Sequence, residues 1–151
     1  MGPERWVRIL SSFFYIGYAP WMPGTLGSLA GLFIFWLCPF KGQAAILLFF
    51  SAIGFYLCRP AVKAFASKDP KRFVMDEVCG MMAALFWLPG TFAVYLTAFA
   101  FFRFFDVLKP WPILLVQKKE SPSCIMWDDL LAGLFTNLLL RAALFFLPRF
   151  S

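Results

Sequence analysis

The chain has 151 residues and a net charge of +6; 62% of its residues are hydrophobic, 21% aromatic and 15% charged, and the mean hydropathy is +0.76. Soluble domains are nearer half apolar and a quarter charged, and so short a chain has too little interior for this many Phe and Leu side chains, which argues for one integral membrane domain, residues 1–151, and against a soluble one. The positive charge then marks cytoplasmic loops beside anionic lipid, not nucleic acid, and the lack of histidine removes phosphohistidine chemistry, His-based triads and most transition-metal sites.

In residues 1–19, Arg5 and Arg8 precede an apolar run to Tyr18, the pattern of an interfacial amphipathic helix. Pro20–Gly27 holds two prolines and two glycines and reads as a helix break, with Thr25 or Ser28 placed to cap the next helix. Leu29–Phe40 and Ala44–Cys58 are apolar but shorter than the ~20 residues of a comfortable span, and Arg59-Pro60 is expected to end the second. Residues 59–77 are the most polar part, with a turn at Asp69-Pro70. Val78–Phe102 is cut at Pro89-Gly90 into halves of ~16 Å of helix each, which implies a broken helix or re-entrant hairpin. Arg103, Asp106 and Lys109 then share one helix face, and Pro110–Pro112 ends that helix. After a loop at Ser121-Pro122-Ser123, Leu130–Leu147 is the last apolar helix, with Asn137 and Arg141 turned to protein or headgroups. The expected fold is therefore all-α: a membrane-embedded bundle of about six short helices, broken at Pro20–Gly27, Pro60, Pro89-Gly90 and Pro110–Pro112. Cys38, Cys58, Cys79 and Cys124 form no CxxC, so neither a disulfide nor zinc is expected.

The acids carry the functional signal. Five of the eight fall into three features, Asp76-Glu77, Asp106 and Asp128-Asp129, each at the boundary of an apolar helix on what the charge pattern makes one membrane face. Packed together they would repel, and a divalent cation with oxygen ligands, Mg²⁺ by preference, is the usual remedy. Asp128 and Asp76 also resemble helix N-caps. The Pro23–Ser28 loop supplies the complement: Gly24 frees the backbone to approach a ligand, Thr25 and Ser28 donate hydroxyls, and a helix N-terminus follows. Arg103 and Lys109 are suited to phosphate oxygens. Acids, cations and a hydroxyl-Gly loop at a membrane surface fit phosphoryl chemistry on a lipid, whether hydrolysis or transfer.

Four segments, in order and over about 115 residues, carry a resemblance: Pro20-Trp21-Met22-Pro23-Gly24-Thr25-Leu26-Gly27-Ser28, Asp76-Glu77-Val78-Cys79-Gly80, Phe102-Arg103-Phe104-Phe105-Asp106-Val107-Leu108-Lys109-Pro110-Trp111-Pro112, and Asp128-Asp129-Leu130-Leu131-Ala132-Gly133. With them the chain resembles the phosphatidylglycerophosphatase A family. The resemblance implies an all-α, multi-pass enzyme of the bacterial cytoplasmic (inner) membrane. It implies Mg²⁺-dependent removal of the terminal phosphate of phosphatidylglycerophosphate, giving phosphatidylglycerol and inorganic phosphate at the cytoplasmic face. It makes Asp76, Glu77, Asp106, Asp128 and Asp129 the catalytic candidates, with Asp76, Glu77, Asp106 and Asp129 as metal ligands. Gly24, Thr25, Ser28, Arg103 and Lys109 become the phosphate-binding candidates. The family often has a Gly-rich stretch before the Asp pair; here Glu120–Trp127 replaces it, and that loop is assigned no phosphate role.

Direct attack by water and an aspartyl-phosphate intermediate both remain open on these residues. A CDP-alcohol phosphotransferase-like enzyme would need a DG-x-x-AR run with two further spaced aspartates, which this sequence lacks. A small transporter or scaffold would use the intramembrane charges for conduction or assembly and release no phosphate.

Overall fold

The computed structural model of the chain describes residues 2–111, 113 and 121–146. Among them the regular structure is helical throughout: α1 (Pro3–Ser11), α2 (Pro23–Leu37), α3 (Gln43–Ala64), α4 (Met75–Leu85), α5 (Phe92–Leu108) and α6 (Cys124–Phe146). Short 3₁₀ turns at Ile16–Tyr18 and Phe40–Gly42 join α1 to α2 and α2 to α3. The bundle of short helices expected from the sequence forms.

The innermost helix is α4. It packs against α2, α3, α5 and α6, and nearly every residue from Met75 to Leu85 is buried. A helix that is apolar all round belongs inside a bundle, and glycines let its neighbours come close. A Cβ on Gly31 of α2 would stand 2.5 Å from Val78 O, and one on Gly80 would stand 2.7 Å from both Asp129 O and the Phe102 ring. A Cβ on Gly133 of α6 would collide with Gly80 O. Backbone therefore meets backbone along α2–α4–α6, and this brings the Asp76-Glu77 pair beside Asp128-Asp129.

Several boundaries differ from those expected. Helix α2 begins at Pro23, so Gly24, Thr25, Gly27 and Ser28 are helical and the break is confined to the residues before it. Proline suits the first helical turn, where its missing N–H costs nothing. The cap is Met22, at φ 47°, and neither Thr25 nor Ser28 has that role. Pro60 does not end α3, which runs one more turn to Ala64. Leu57 and Ala61 are buried on either side of Pro60, and their packing holds the turn despite the lost backbone bond. Helix α6 starts at Cys124, not Leu130, so Asp128 and Asp129 lie inside its second turn and Asp128 is not a cap. Asp76 likewise sits inside the first turn of α4, behind Val74.

The break at Pro89-Gly90 is real, and its polar groups are satisfied from inside the bundle. Asn137 Nδ2 donates to Ala84 O (3.0 Å) and Phe86 O (2.8 Å). Arg141 donates to Asn137 Oδ1 (2.7 Å), Phe86 O (3.0 Å) and Trp87 O (3.2 Å), and Gln43 Oε1 accepts from Trp87 N–H at 3.0 Å. Non-helical backbone at membrane depth survives only with such partners. Helix α5 ends where expected, with Lys109 as a left-handed cap at φ 43° before Pro110; Pro112 lies outside the described residues.

Two stretches, Phe40–Ala64 and Cys124–Phe146, are long and apolar enough to cross a membrane, with mean hydropathies of 1.8 and 1.5. Phe33, Trp36, Leu48, Tyr56, Phe92 and Leu138 are each more than half exposed. An exterior of this kind is matched to lipid tails and not to water.

Candidate active site

The first turns of α2, α4 and α6 and the last turns of α3 and α5 meet around a cavity of about 790 Å³. Of the site residues expected from the sequence, all but Ser28 line it. Three helix N-termini facing one cavity favour an anionic ligand through their free N–H groups and dipoles.

The cavity wall holds the acids in two arrangements. Asp76, Glu77 and Asp129 each offer a carboxylate oxygen, and these atoms lie within 4.8 Å of one another. Asp76 Oδ1 accepts from the Glu77 N–H at 3.0 Å, but Glu77 Oε2 and Asp129 Oδ2 are buried with no hydrogen-bond partner among the described residues, as is Thr25 Oγ1 on the same wall. Buried carboxylate oxygens are almost always paired, because leaving one unpaired costs several kcal/mol. Burial, then the charge of Glu77, holds the Asp76 carboxyl well above the ordinary carboxylate range. Burial also raises Glu77, against the lowering effect of its hydrogen bond with Asp76. An all-oxygen donor set with orphaned carboxylates fits a hard divalent cation such as Mg²⁺ and would relieve all three strains together.

The other two acids are paired with cations. Arg103 Nη1 donates to Asp106 Oδ2 at 2.6 Å, one turn along α5, and the Lys109 ammonium donates to Asp128 Oδ2 across the cavity. Lys109 reaches α6 because its left-handed cap turns the chain away from the α5 axis. Desolvation lowers the Lys109 pKa, but the hydrogen bond and charge of Asp128 outweigh it and the net shift is upward, so this side chain stays charged. Both cations expected at the phosphate line the cavity, and each is held there by an acid. Asp106, also expected among the metal ligands, lies outside the tight three-carboxylate set.

The hydroxyl-Gly loop has a divided role. A Cβ on Gly24 would collide with Glu77 Oε1 and stand 3.4 Å from Arg103 Nη1, so the bare glycine makes room for the acid and the guanidinium. Ser28 is fully buried behind the wall; its hydroxyl donates to Gly24 O (2.9 Å) and accepts from Arg103 Nη1 at 3.5 Å. It steadies Arg103 and does not reach the cavity. The sequence reading missed Lys68, Asp69, Lys71 and Ser121, which also line the cavity. Their signal was the Lys-Asp-Pro-Lys turn lying a few residues before Asp76.

The chain matches the profile of the family described as Phosphatidylglycerophosphatase A over residues 9–144. The chain belongs to this family. A protein of Escherichia coli named Phosphatidylglycerophosphatase A is 33% identical over 134 residues, covering 85% of this chain and 78% of its own. One of the same name from Haemophilus influenzae is 34% identical over 142 residues, covering 90% and 87%. A protein of Bacteroides thetaiotaomicron, provisionally named a phosphatidylinositol-3-phosphatase, is 30% identical over 146 residues, covering 89% and 91%. No solved structure matches the chain. The phosphatidylglycerophosphatase A match spans all three acid features and every helix that contributes to the cavity wall.

Proposed function

We propose that this protein is a Mg²⁺-dependent phosphatase that hydrolyses phosphatidylglycerophosphate to phosphatidylglycerol and inorganic phosphate. Its family and the names of its relatives make it a phosphoric monoester hydrolase. The observation that carries the metal dependence is the set of buried carboxylates at Asp76, Glu77 and Asp129, two with an unpartnered oxygen, on the wall of one cavity. When bound there, Mg²⁺ supplies charge neutralisation and polarisation of phosphate oxygens.

The chain's own residues do the rest. Arg103 and Lys109 grip the monoester oxygens, already oriented by Asp106 and Asp128. Asp106, on the cavity wall and outside the three-carboxylate set, takes a proton from the attacking water. That proton passes to the glycerol oxygen as the phosphorus–oxygen bond breaks, so the carboxylate is regenerated. The basic turn Lys68–Arg72 and Lys63 lie at the cavity end of the bundle. This supports a multi-pass protein of the bacterial cytoplasmic membrane with its active site on the cytoplasmic face.

The test is phosphate release from phosphatidylglycerophosphate by the purified protein. Wild type is expected to be active with Mg²⁺ and silent in EDTA, and Asp106→Asn to lose about 10²–10⁴-fold in kcat, the range of a lost general base. Release that survives EDTA, or a fully active Asp106→Asn, overturns the mechanism; no release from wild type overturns the function.

A further inference from the structure

Helix α3 packs against its neighbours on one side, and its other side is a single outward stripe. Ala45, Leu48, Phe49, Ala52 and Tyr56 are exposed, and so are Arg59 and Lys63 in the turns that follow. At 3.6 residues per turn they all fall within about 100° of arc. The stripe has two parts. From Ala45 to Tyr56 it is apolar apart from the Tyr56 hydroxyl and ~16 Å long, about half the hydrocarbon core of a bilayer and so the depth of one leaflet's acyl chains. Arg59 and Lys63, one turn apart, close it at the end toward the cavity, yet neither lines the cavity. The reaction proposed above leaves them unused.

The two cations have no acid to answer them. Among the described residues neither makes a hydrogen bond or an ion pair. Arg8 of the neighbouring α1 is committed to Ala64 O (2.8 Å) and the Phe65 ring, and Glu4 of α1 pairs with neither cation. Two uncompensated positive charges at the border of the apolar layer attract an anion of the headgroup region. A phosphodiester suits both: the Arg59 fork matches two oxygens and Lys63 adds a point charge. Tyr56, one turn deeper, presents its hydroxyl where the glycerol ester oxygens of a phospholipid stand. Below it the small Ala52 leaves a dip between Phe49 and Tyr56. A second copy is a poor occupant. Packed by this face about a two-fold axis normal to the membrane, it would set Arg59 and Lys63 against their own equivalents, and like charges would repel. We infer that the outer face of α3 is a binding site for one anionic phospholipid, separate from the cavity: Arg59 and Lys63 hold its phosphodiester, and the stripe from Tyr56 to Ala45 carries an acyl chain. The site does not depend on the activity proposed above.

The test reads lipid selectivity at the stripe itself. A fluorophore on Phe49→Cys, in a background where the native cysteines are replaced, is quenched by brominated-tail phospholipid in vesicles of phosphatidylcholine. Brominated phosphatidylglycerol is expected to bind there about ten-fold more tightly than brominated phosphatidylcholine, as for two cations near a membrane surface. The same fluorophore on Phe33→Cys is the control, because Phe33 is exposed on α2, a helix without a charged residue, and no preference is expected there. Arg59→Gln/Lys63→Gln is expected to bring the preference at Phe49→Cys down to the α2 value, and the charge-keeping exchange Arg59→Lys/Lys63→Arg to retain most of it. Lys41→Gln, at the far end of α3, is expected to leave it unchanged. A preference at Phe49→Cys no greater than at Phe33→Cys, or one that survives the loss of both cations, overturns the site. Self-quenching between labelled copies in place of quenching by lipid gives the stripe to a dimer and overturns it too.

Discussion

At the scale of single residues, the site is a cluster of carboxylates held in a state they would not choose alone. Glu77 Oε2 and Asp129 Oδ2 are buried without partners among the described residues, so under the metal-dependent reading proposed above the metal-free protein stores a cost at its site. Asp129→Asn removes one buried negative charge. It is expected to raise the melting temperature of the EDTA-treated protein while lowering kcat by about 10²-fold or more, and a melting temperature below wild type would show that the cluster is not strained. The pH dependence follows from the same residues. Asp76 and Glu77 have folded-state pKa values raised by burial, so the folded form holds protons that the unfolded chain releases. Their contribution is fully present below the ordinary carboxylate range near pH ~4 and is lost as pH rises toward the raised values. The EDTA-treated protein should therefore melt lower as pH rises from 5 to about 8, and added Mg²⁺ should stabilise more at the upper end than at the lower. Thermal unfolding across that range, with and without Mg²⁺, checks both. The acids were legible in the sequence because each interrupts an apolar run. The Lys109–Asp128 pair was not, since it depends on how two helices approach across 19 residues of chain.

At the scale of elements, glycines decide the geometry more than the loop residues do. Pro23 and Pro60 were expected to break helices, yet one starts α2 and the other is carried within α3, because proline at a first turn or beside well-packed neighbours does not act as a stop. The sequence shows the composition of such a stretch but not which neighbour packs there. Gly80 and Gly133 read as family signature residues in the sequence; their physical task became visible only when α4 and α6 were seen to touch through them. Gly133→Ala would force a methyl group into Gly80 O, and moving the two backbones apart would separate Asp129 from Asp76 and Glu77. The expected result is about 1–3 kcal/mol of destabilisation together with weaker Mg²⁺ activation. Gly90→Ala is the control: nothing lies within 4 Å of a Cβ there, and a change within about 0.5 kcal/mol is expected. Equal effects of the two substitutions on thermal unfolding and on the Mg²⁺ titration would remove the argument that close backbone contact assembles the site.

For the whole molecule, the arrangement of helix ends makes a claim about the membrane. The cavity gathers the starts of α2, α4 and α6 and the ends of α3 and α5, so the turn at Phe40–Gly42, which joins the far ends of α2 and α3, lies at the opposite end of the bundle. Arg141 also lies toward that end, against the carbonyls after α4. The basic residues are unevenly shared: Lys63, Lys68, Lys71, Arg72, Arg103 and Lys109 stand toward the cavity, with Lys41 and Arg141 at the far end. Such a bias is the one the positive-inside rule associates with a cytoplasmic face, the orientation proposed above. Ser121 at the cavity rim and Lys41 in the far turn are both exposed. Cysteine at these two positions, in a background where the native cysteines are replaced, gives a direct reading with a membrane-impermeant maleimide. Ser121→Cys is expected to label in inside-out vesicles and Lys41→Cys in right-side-out ones. The reverse pattern would turn the active site outward, and labelling of both from one side would mean that α2 and α3 form a hairpin that enters the bilayer without crossing it. That last outcome tests the span itself: α2 has 15 residues, or ~22 Å of helix, against a hydrocarbon core of about 30 Å, so only the longer α3 reaches across unaided. The Phe40–Gly42 turn must then sit where Lys41 can reach the headgroups, and its side chain is long enough to do so from just inside the apolar layer.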